Sequence, residues 1–174
     1  LLFSTGYQAN LGVIKSLVSR GDNIISDKLN HASLIDGSLT SRANFKRYNH
    51  NDCKNLEEML IGTKGKNNLV ISDSLFSMDG DTPNIKKMST LAKKYDASLL
   101  IDEAHSIGVF EKYGRGLIYK NSLNDKENIF VTGTFGKAIG TFGAFFSGKK
   151  DHVEYVLQKA RSYIYSTSLP INAV

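Results

Sequence analysis

Leu99-Leu-Ile-Asp-Glu-Ala-His105 sets three apolar residues directly before two acids and an imidazole. A run this short and apolar fits a strand buried on both faces, and the polar residues after it fit the open end of that strand. Similar runs recur at Asn23-Ile-Ile-Ser26, Leu69-Val-Ile71, Ile129-Phe-Val131 and Ala144-Phe-Phe146. Around them, the spacing of Leu11, Ile14 and Val18, of Ile85, Met88, Ala92 and Tyr95, and of Val153, Val156, Leu157 and Ala160 predicts three amphipathic helices. Helices alternating with buried strands predict an α/β domain, a mostly parallel sheet with helices on both faces. No linker, repeat or low-complexity segment divides residues 1–174, and the most polar turn is Gly62-Thr-Lys-Gly-Lys-Asn-Asn68.

In open α/β sheets, chemistry collects at strand ends. Asp102 and His105 leave one predicted strand end, and Lys137 leaves another, within Gly133-Thr-Phe-Gly-Lys-Ala-Ile-Gly140. An unprotonated lysine can form a Schiff base with an aldehyde, an aspartate can hold a pyridinium nitrogen protonated, and a histidine can donate to a phenolate oxygen. Pyridoxal phosphate uses all three. Taken singly, a lysine beside glycine turns is equally a solvated surface charge.

Composition describes an ordinary globular domain: 174 residues, 41% of them hydrophobic, with a net charge of +5. No stretch approaches a membrane span, and Leu1-Leu-Phe-Ser-Thr5 lacks the basic and apolar regions of a secretory signal, so a cytoplasmic setting is expected. The lone Cys53 has no partner for a disulfide or a zinc cluster. Lysines and arginines are scattered rather than gathered in the stripe that nucleic acid binding would suggest, and small acidic ligands suit the charge equally well. His31, His50, His105 and His152 lack the paired spacing of metal ligands, so no metal is expected.

Asp102-Glu-Ala-His105 also spells the acidic box of a helicase ATPase, a reading that needs a phosphate-binding loop upstream. Gly65-Lys66, Gly136-Lys137 and Gly148-Lys149 are followed by Asn67, Ala138 and Lys150, where that loop requires serine or threonine. No Gly-x-Ser-x-Gly elbow supports a serine hydrolase either.

Six segments occur together in order: Phe3-Ser-Thr-Gly-Tyr-Gln-Ala-Asn10, Asp27-Lys-Leu-Asn-His-Ala-Ser-Leu-Ile-Asp36, Phe76-Ser-Met-Asp-Gly-Asp81, Ile101-Asp-Glu-Ala-His-Ser-Ile-Gly108, Thr134-Phe-Gly-Lys137 and Tyr165-Ser-Thr-Ser-Leu-Pro170. In this order and spacing the chain resembles the α-oxoamine synthases, pyridoxal-phosphate enzymes of the aspartate-aminotransferase-like fold (fold type I). The resemblance covers essentially the whole chain. It implies that residues 1–174 are the large cofactor-binding domain, without the N-terminal segment and the small C-terminal domain of longer family members.

The same resemblance implies residue roles. Lys137 would be the Schiff-base lysine and the amine that removes the substrate's α-proton. Asp102 would pair with the pyridinium nitrogen, His105 with the phenolate oxygen, and His31 would stack on the ring and position the substrate; as an alternative, His31 is a helix-capping histidine. Gly6 and Tyr7 would start a helix at the cofactor phosphate, Ser77 and Thr134 would add hydroxyl contacts, and Ser166 and Thr167 would reach the phosphate of a neighbouring subunit, which implies a homodimer with a shared active site. Asp73 would be a supporting acid or a solvated strand-end carboxylate. The implied reaction joins an amino acid to an acyl-CoA thioester with loss of CO2 and CoA. Phe76-Ser-Met-Asp-Gly-Asp81 and Asp102-Glu-Ala-His-Ser-Ile-Gly-Val109 fit best the branch that joins L-alanine to pimeloyl-CoA, or its carrier-protein thioester, in biotin synthesis. The branches that use glycine with acetyl- or succinyl-CoA, or serine with palmitoyl-CoA, are the alternatives, beside a non-catalytic structural or regulatory role.

Overall fold

The computed structural model describes residues 1–63, 67–124 and 126–170. Among these residues the chain runs β1 (Leu2–Phe3), α1 (Gly6–Leu17), β2 (Asn23–Asp27), α2 (Ala32–Ser41), β3 (Asn44–Tyr48), α3 (Cys53–Ile61), β4 (Asn68–Asp73), α4 (Ile85–Lys94), β5 (Ala97–Asp102), α5 (Gly116–Lys120), β6 (Ile129–Thr134), β7 (Ala144–Ser147), α6 (Lys150–Lys159) and α7 (Arg161–Ile164). One seven-stranded sheet has the order β1-β7-β6-β5-β4-β2-β3. Strands β2 to β6 are parallel, and β7 runs antiparallel to both β6 and β1.

Alternation along each strand sorts its side chains into two cores. Ile25, Val70, Leu99 and Ile101 face α3, α4 and α5, where Leu56, Leu60, Met88, Leu91 and Leu117 close the layer. Ile24, Leu69, Ile71, Leu100 and Phe130 face the other way, onto Val13 and Ile14 of α1, Leu34 of α2 and Val156 of α6. Burial on both faces is what the continuous apolar runs require.

All five strands expected from apolar runs are present, as are the three helices, although Val18, Tyr95 and Ala160 cap their helices rather than lie within them. Two strands and four helices exceed the sequence expectation. Strand β3 forms one edge of the sheet and exposes Lys46 and Arg47, so it has no apolar run to reveal it. Helix α2 carries three serines and a glycine, and α3 buries only Leu56 and Leu60. Part of the polar turn at Gly62–Asn68 lies outside the described residues.

Register fixes the position of the site. Ile71 pairs with Leu100 and Leu100 with Phe130; two residues further on, Asp73 pairs with Asp102 and Asp102 with Thr132. Equal parity keeps all three polar side chains on the α1 face, where the apolar rows end. The N-termini of α1 and α2 open at this same strand end, because each helix starts where the preceding strand ends.

Candidate active site

A cleft of about 170 Å³ lies at this end of the sheet, lined by Gly6, Tyr7, Asn10, His31, Ser33, Asp73, Ser77, Asp102, Ala104, His105, Thr134 and Lys137. Eight of the ten residues expected from sequence meet here, delivered by the ends of β4, β5 and β6 and the starts of α1 and α2. A larger cavity, about 430 Å³ beside α5 and β7, is lined by Arg115, Tyr119, Lys126, Phe145 and Lys149 and holds none of them.

Lys137 follows β6 by three residues, and its Nζ lies 2.6 Å from His105 Nε2. Burial lowers the affinity of the lysine amine for its proton, while the carboxylates of Asp102 and Asp73 pull the other way; the net shift is downward. His105 is likewise lowered, by burial first and then by the charge of Lys137. A neutral amine at this position is a nucleophile and a base.

Asp102 is buried, and each of its oxygens accepts one hydrogen bond. Its Oδ1 accepts from the Ala104 N–H at 2.8 Å and its Oδ2 from Asn10 Nδ2 at 2.6 Å. Asp73 beside it is pushed up to about 7 by burial, then by the charge of Asp102, although the His31 N–H donates to its Oδ2 at 2.7 Å. It is therefore a buried neighbour of the site rather than a solvated strand-end group.

His31 does cap a helix: its ring accepts from the Ser33 N–H at 3.2 Å at the start of α2, and the exposed ring also lines the cleft. The capping and cleft-facing readings therefore hold together. Gly6 and Tyr7 begin α1, whose N-cap Thr5 accepts from the Gln8 N–H at 3.2 Å, and free backbone N–H groups at such an end suit an anion. The Tyr7 hydroxyl donates to Asp36 and ties α1 to α2. Thr134 Oγ1 donates to the Gly143 carbonyl at 3.0 Å and accepts from the Gly136 N–H at 3.2 Å, which shapes the turn that presents Lys137. Ser77 sits on the loop Phe76–Asp81, anchored where His50 bridges Asp27 at 2.9 Å and Asp81 at 3.0 Å.

Ser166 and Thr167 stand apart. They line a cavity of about 340 Å³ with Phe3, Tyr163 and Leu169, and Ser166 Oγ accepts from Gln8 Nε2 at 3.4 Å. Glu103 turns away from the cleft; it is 3% exposed and accepts from the Ile118 N–H at 2.9 Å and from Ser106 Oγ at 3.0 Å. It braces α5 instead of facing a ligand.

Sequence reasoning missed Asn10 and Ser33. The signal for Asn10 was its place in the helical series Asn10, Val13, Ile14 and Leu17, an amide on a face that packs against the sheet. Ser33 carries no such signal, because serine is common in first helical turns.

At 46% identity over 170 residues, the chain is similar to 8-amino-7-oxononanoate synthase of Methylococcus capsulatus, covering 98% of this chain and 44% of that protein. Its backbone is similar to a serine palmitoyltransferase variant from S. paucimobilis solved with a bound PLP–myriocin aldimine, with a TM-score of 0.92 and 38% identity over 99% of this chain and 45% of that one. It is also similar to 8-amino-7-oxononanoate synthase from Francisella tularensis, with a TM-score of 0.83 and 35% identity over 98% and 49% of the two chains. This chain thus spans under half the length of each of these relatives. The sequence model for aminotransferase class I and II matches residues 1–174 throughout, and the chain belongs to that family.

Proposed function

We propose that this chain is the pyridoxal-phosphate-binding large domain of an acyltransferase that condenses an amino acid with an acyl-CoA thioester, releasing CO2 and CoA. The observation that carries this reading is the meeting of Lys137, His105, Asp102 and His31 in one cleft beside the N-terminus of α1. The donor set fits the cofactor: a lysine of lowered proton affinity for the aldehyde, a buried carboxylate for the ring nitrogen, an imidazole for the phenolate and a helix start for the phosphate. When bound, the cofactor's pyridinium ring supplies an electron sink for charge at the amino acid's α-carbon.

The chain's own residues do the rest. Lys137 would hold the cofactor's aldehyde and, as a neutral amine, would be the base for the amino acid's α-proton. Asp102, held by Asn10 and Ala104, would keep the proton on the ring nitrogen. His105 would hold the phenolate oxygen, and His31 would stack on the ring and orient the substrate. Gly6, Tyr7, Ser77 and Thr134 would receive the phosphate end.

The preferred substrates are L-alanine and pimeloyl-CoA, or a pimeloyl carrier-protein thioester, giving 8-amino-7-oxononanoate for biotin synthesis; the name and 46% identity of the Methylococcus relative support this choice. Serine palmitoyltransferase, glycine C-acetyltransferase and 5-aminolevulinate synthase chemistries are the alternatives, the first favoured by the 0.92 TM-score of the serine palmitoyltransferase structure. In this reading the protein acts in the cytoplasm as a homodimer, with Ser166 and Thr167 reaching the partner's phosphate. No described helix is long and apolar enough to cross a membrane.

The intact protein supplied with pyridoxal phosphate should develop a visible Schiff-base band that Lys137→Ala abolishes. Absence of the band in the parent protein defeats the enzyme reading. CoA release from acetyl-, succinyl-, pimeloyl- and palmitoyl-CoA, each with glycine, alanine and serine, then selects the member.

A further inference from the structure

Asn10 is 1% exposed, and its side chain engages both amide N–H donors and its carbonyl oxygen. Thr132 Oγ1 donates to its Oδ1 at 2.7 Å, and its Nδ2 donates to Asp102 Oδ2 at 2.6 Å and to Ser33 Oγ at 2.9 Å. Reversing the amide would set its oxygen 2.6 Å from a carboxylate oxygen, so the Thr132 hydroxyl and Asp102 together fix its orientation.

Two consequences run outward. Ser33 Oγ, accepting from Asn10, has its own proton free for His31 Nδ1 at 2.8 Å, and the Ser33 N–H points at the same nitrogen from 3.2 Å. Two donors aimed at Nδ1 put the imidazole proton on Nε2. On the other side, Asp73 and Asp102 are paired across β4 and β5, and two neighbouring carboxylates resist carrying charge together. Asp102 receives two donors, from Asn10 and Ala104, whereas Asp73 receives the His31 N–H. Lys137 and Asp27 also act on Asp73, with opposite signs.

We propose that Asn10 is a positioning residue that assigns protons on both sides of the cleft, making Asp102 the charged member of the Asp73–Asp102 pair and His31 an Nε2–H imidazole. The benefit to cofactor chemistry rests on the function proposed above, but the hydrogen bonds belong to the protein alone. The raised proton affinity of Asp73 agrees with the assignment.

The test is NMR of the intact, cofactor-free protein at about pH 6, between the ordinary aspartate range and neutrality. It reads carboxyl carbons of labelled aspartates and ring nitrogens of labelled histidines. The parent should show Asp102 as carboxylate, Asp73 largely protonated and His31 with its hydrogen on Nε2. Asn10→Leu, nearly isosteric, should move the proton partition between Asp73 and Asp102 about tenfold toward Asp102, the worth of one charge-assisted hydrogen bond, and give His31 mixed tautomers. Thr132→Val, which keeps Asn10 but releases its orientation, should move both signals the same way by less, and it decides alone if Asn10→Leu does not fold. Folded variants with the parent's carboxyl and imidazole signals overturn the proposal. A missing Schiff-base band alongside these NMR changes would defeat the cofactor reading while leaving the assignment standing; the band with no NMR change would do the reverse.

Discussion

Lys137 Nζ and His105 Nε2, 2.6 Å apart, are close enough to share a hydrogen, so charge on one opposes charge on the other. Burial already weakens the hold of Lys137 on its proton. Competitive labelling with an amine reagent, read by mass spectrometry across pH, should modify Lys137 at lower pH than exposed lysines such as Lys86. Modification of Lys137 only in the ordinary lysine range, about pH 10, would contradict the geometry.

Asp73 holds its proton to about 7 in the fold, well above its unfolded value. An acid shifted this way contributes a penalty that is absent below about pH 4, grows as the unfolded chain alone releases its proton, and is complete above pH of about 7. Asp73→Asn, which can still accept from the His31 N–H, should match the parent in acid and exceed it at higher pH by on the order of 4 kcal/mol. Urea unfolding at both ends of that window checks the difference; a variant equally destabilised at every pH would point to lost packing instead.

His50 illustrates the opposite sign. Burial opposes its charge, but its hydrogen bonds to Asp27 and Asp81 prevail and raise its affinity for a proton. The bridge therefore contributes fully below the unfolded histidine value, about 6.5, and fades as pH rises through the folded value. Since the imidazole is about a quarter exposed, the effect is on the order of 1 kcal/mol after solvent screening. Melting curves of parent and His50→Gln should separate in mild acid and converge in mild alkali. The loop that carries Ser77 is tied down by this bridge, so hydrogen exchange at Phe76–Asp81 should quicken over the same range.

Gly116 has φ +86°, and a Cβ there would lie 2.6 Å from Glu103 Oε2. Gly116→Ala combines a left-handed backbone with a clash against a buried carboxylate that cannot retreat without leaving the Ile118 N–H. A loss of roughly 2–4 kcal/mol is expected in denaturant unfolding. Gly80→Ala, with φ +72° but nothing within 4 Å of a Cβ, is the control and should cost less.

The parallel core was legible because Leu69–Ile71 and Leu99–Ile101 are buried on both faces and carry no polar interruption. Strand β3 was not, since Asn44, Lys46 and Arg47 face solvent at the sheet edge and mimic a loop. At the site, Lys137, Asp102 and His105 announced themselves by following apolar runs. Asn10 lay hidden because its meaning depends on Thr132, 122 residues later, and local sequence carries no trace of that pairing. The double character of His31, cap and cleft wall at once, likewise needed the start of α2 and the end of β4 to be seen side by side.

Among the described residues, strand β3 is an edge strand whose outer side meets no other strand, and it presents Lys46 and Arg47. Positive side chains on an open edge discourage a foreign strand from docking there, since lining up a second such edge would crowd like charges. The positive edge is a built-in safeguard against ribbon-like growth at β3 through the very hydrogen bonds that hold the sheet together.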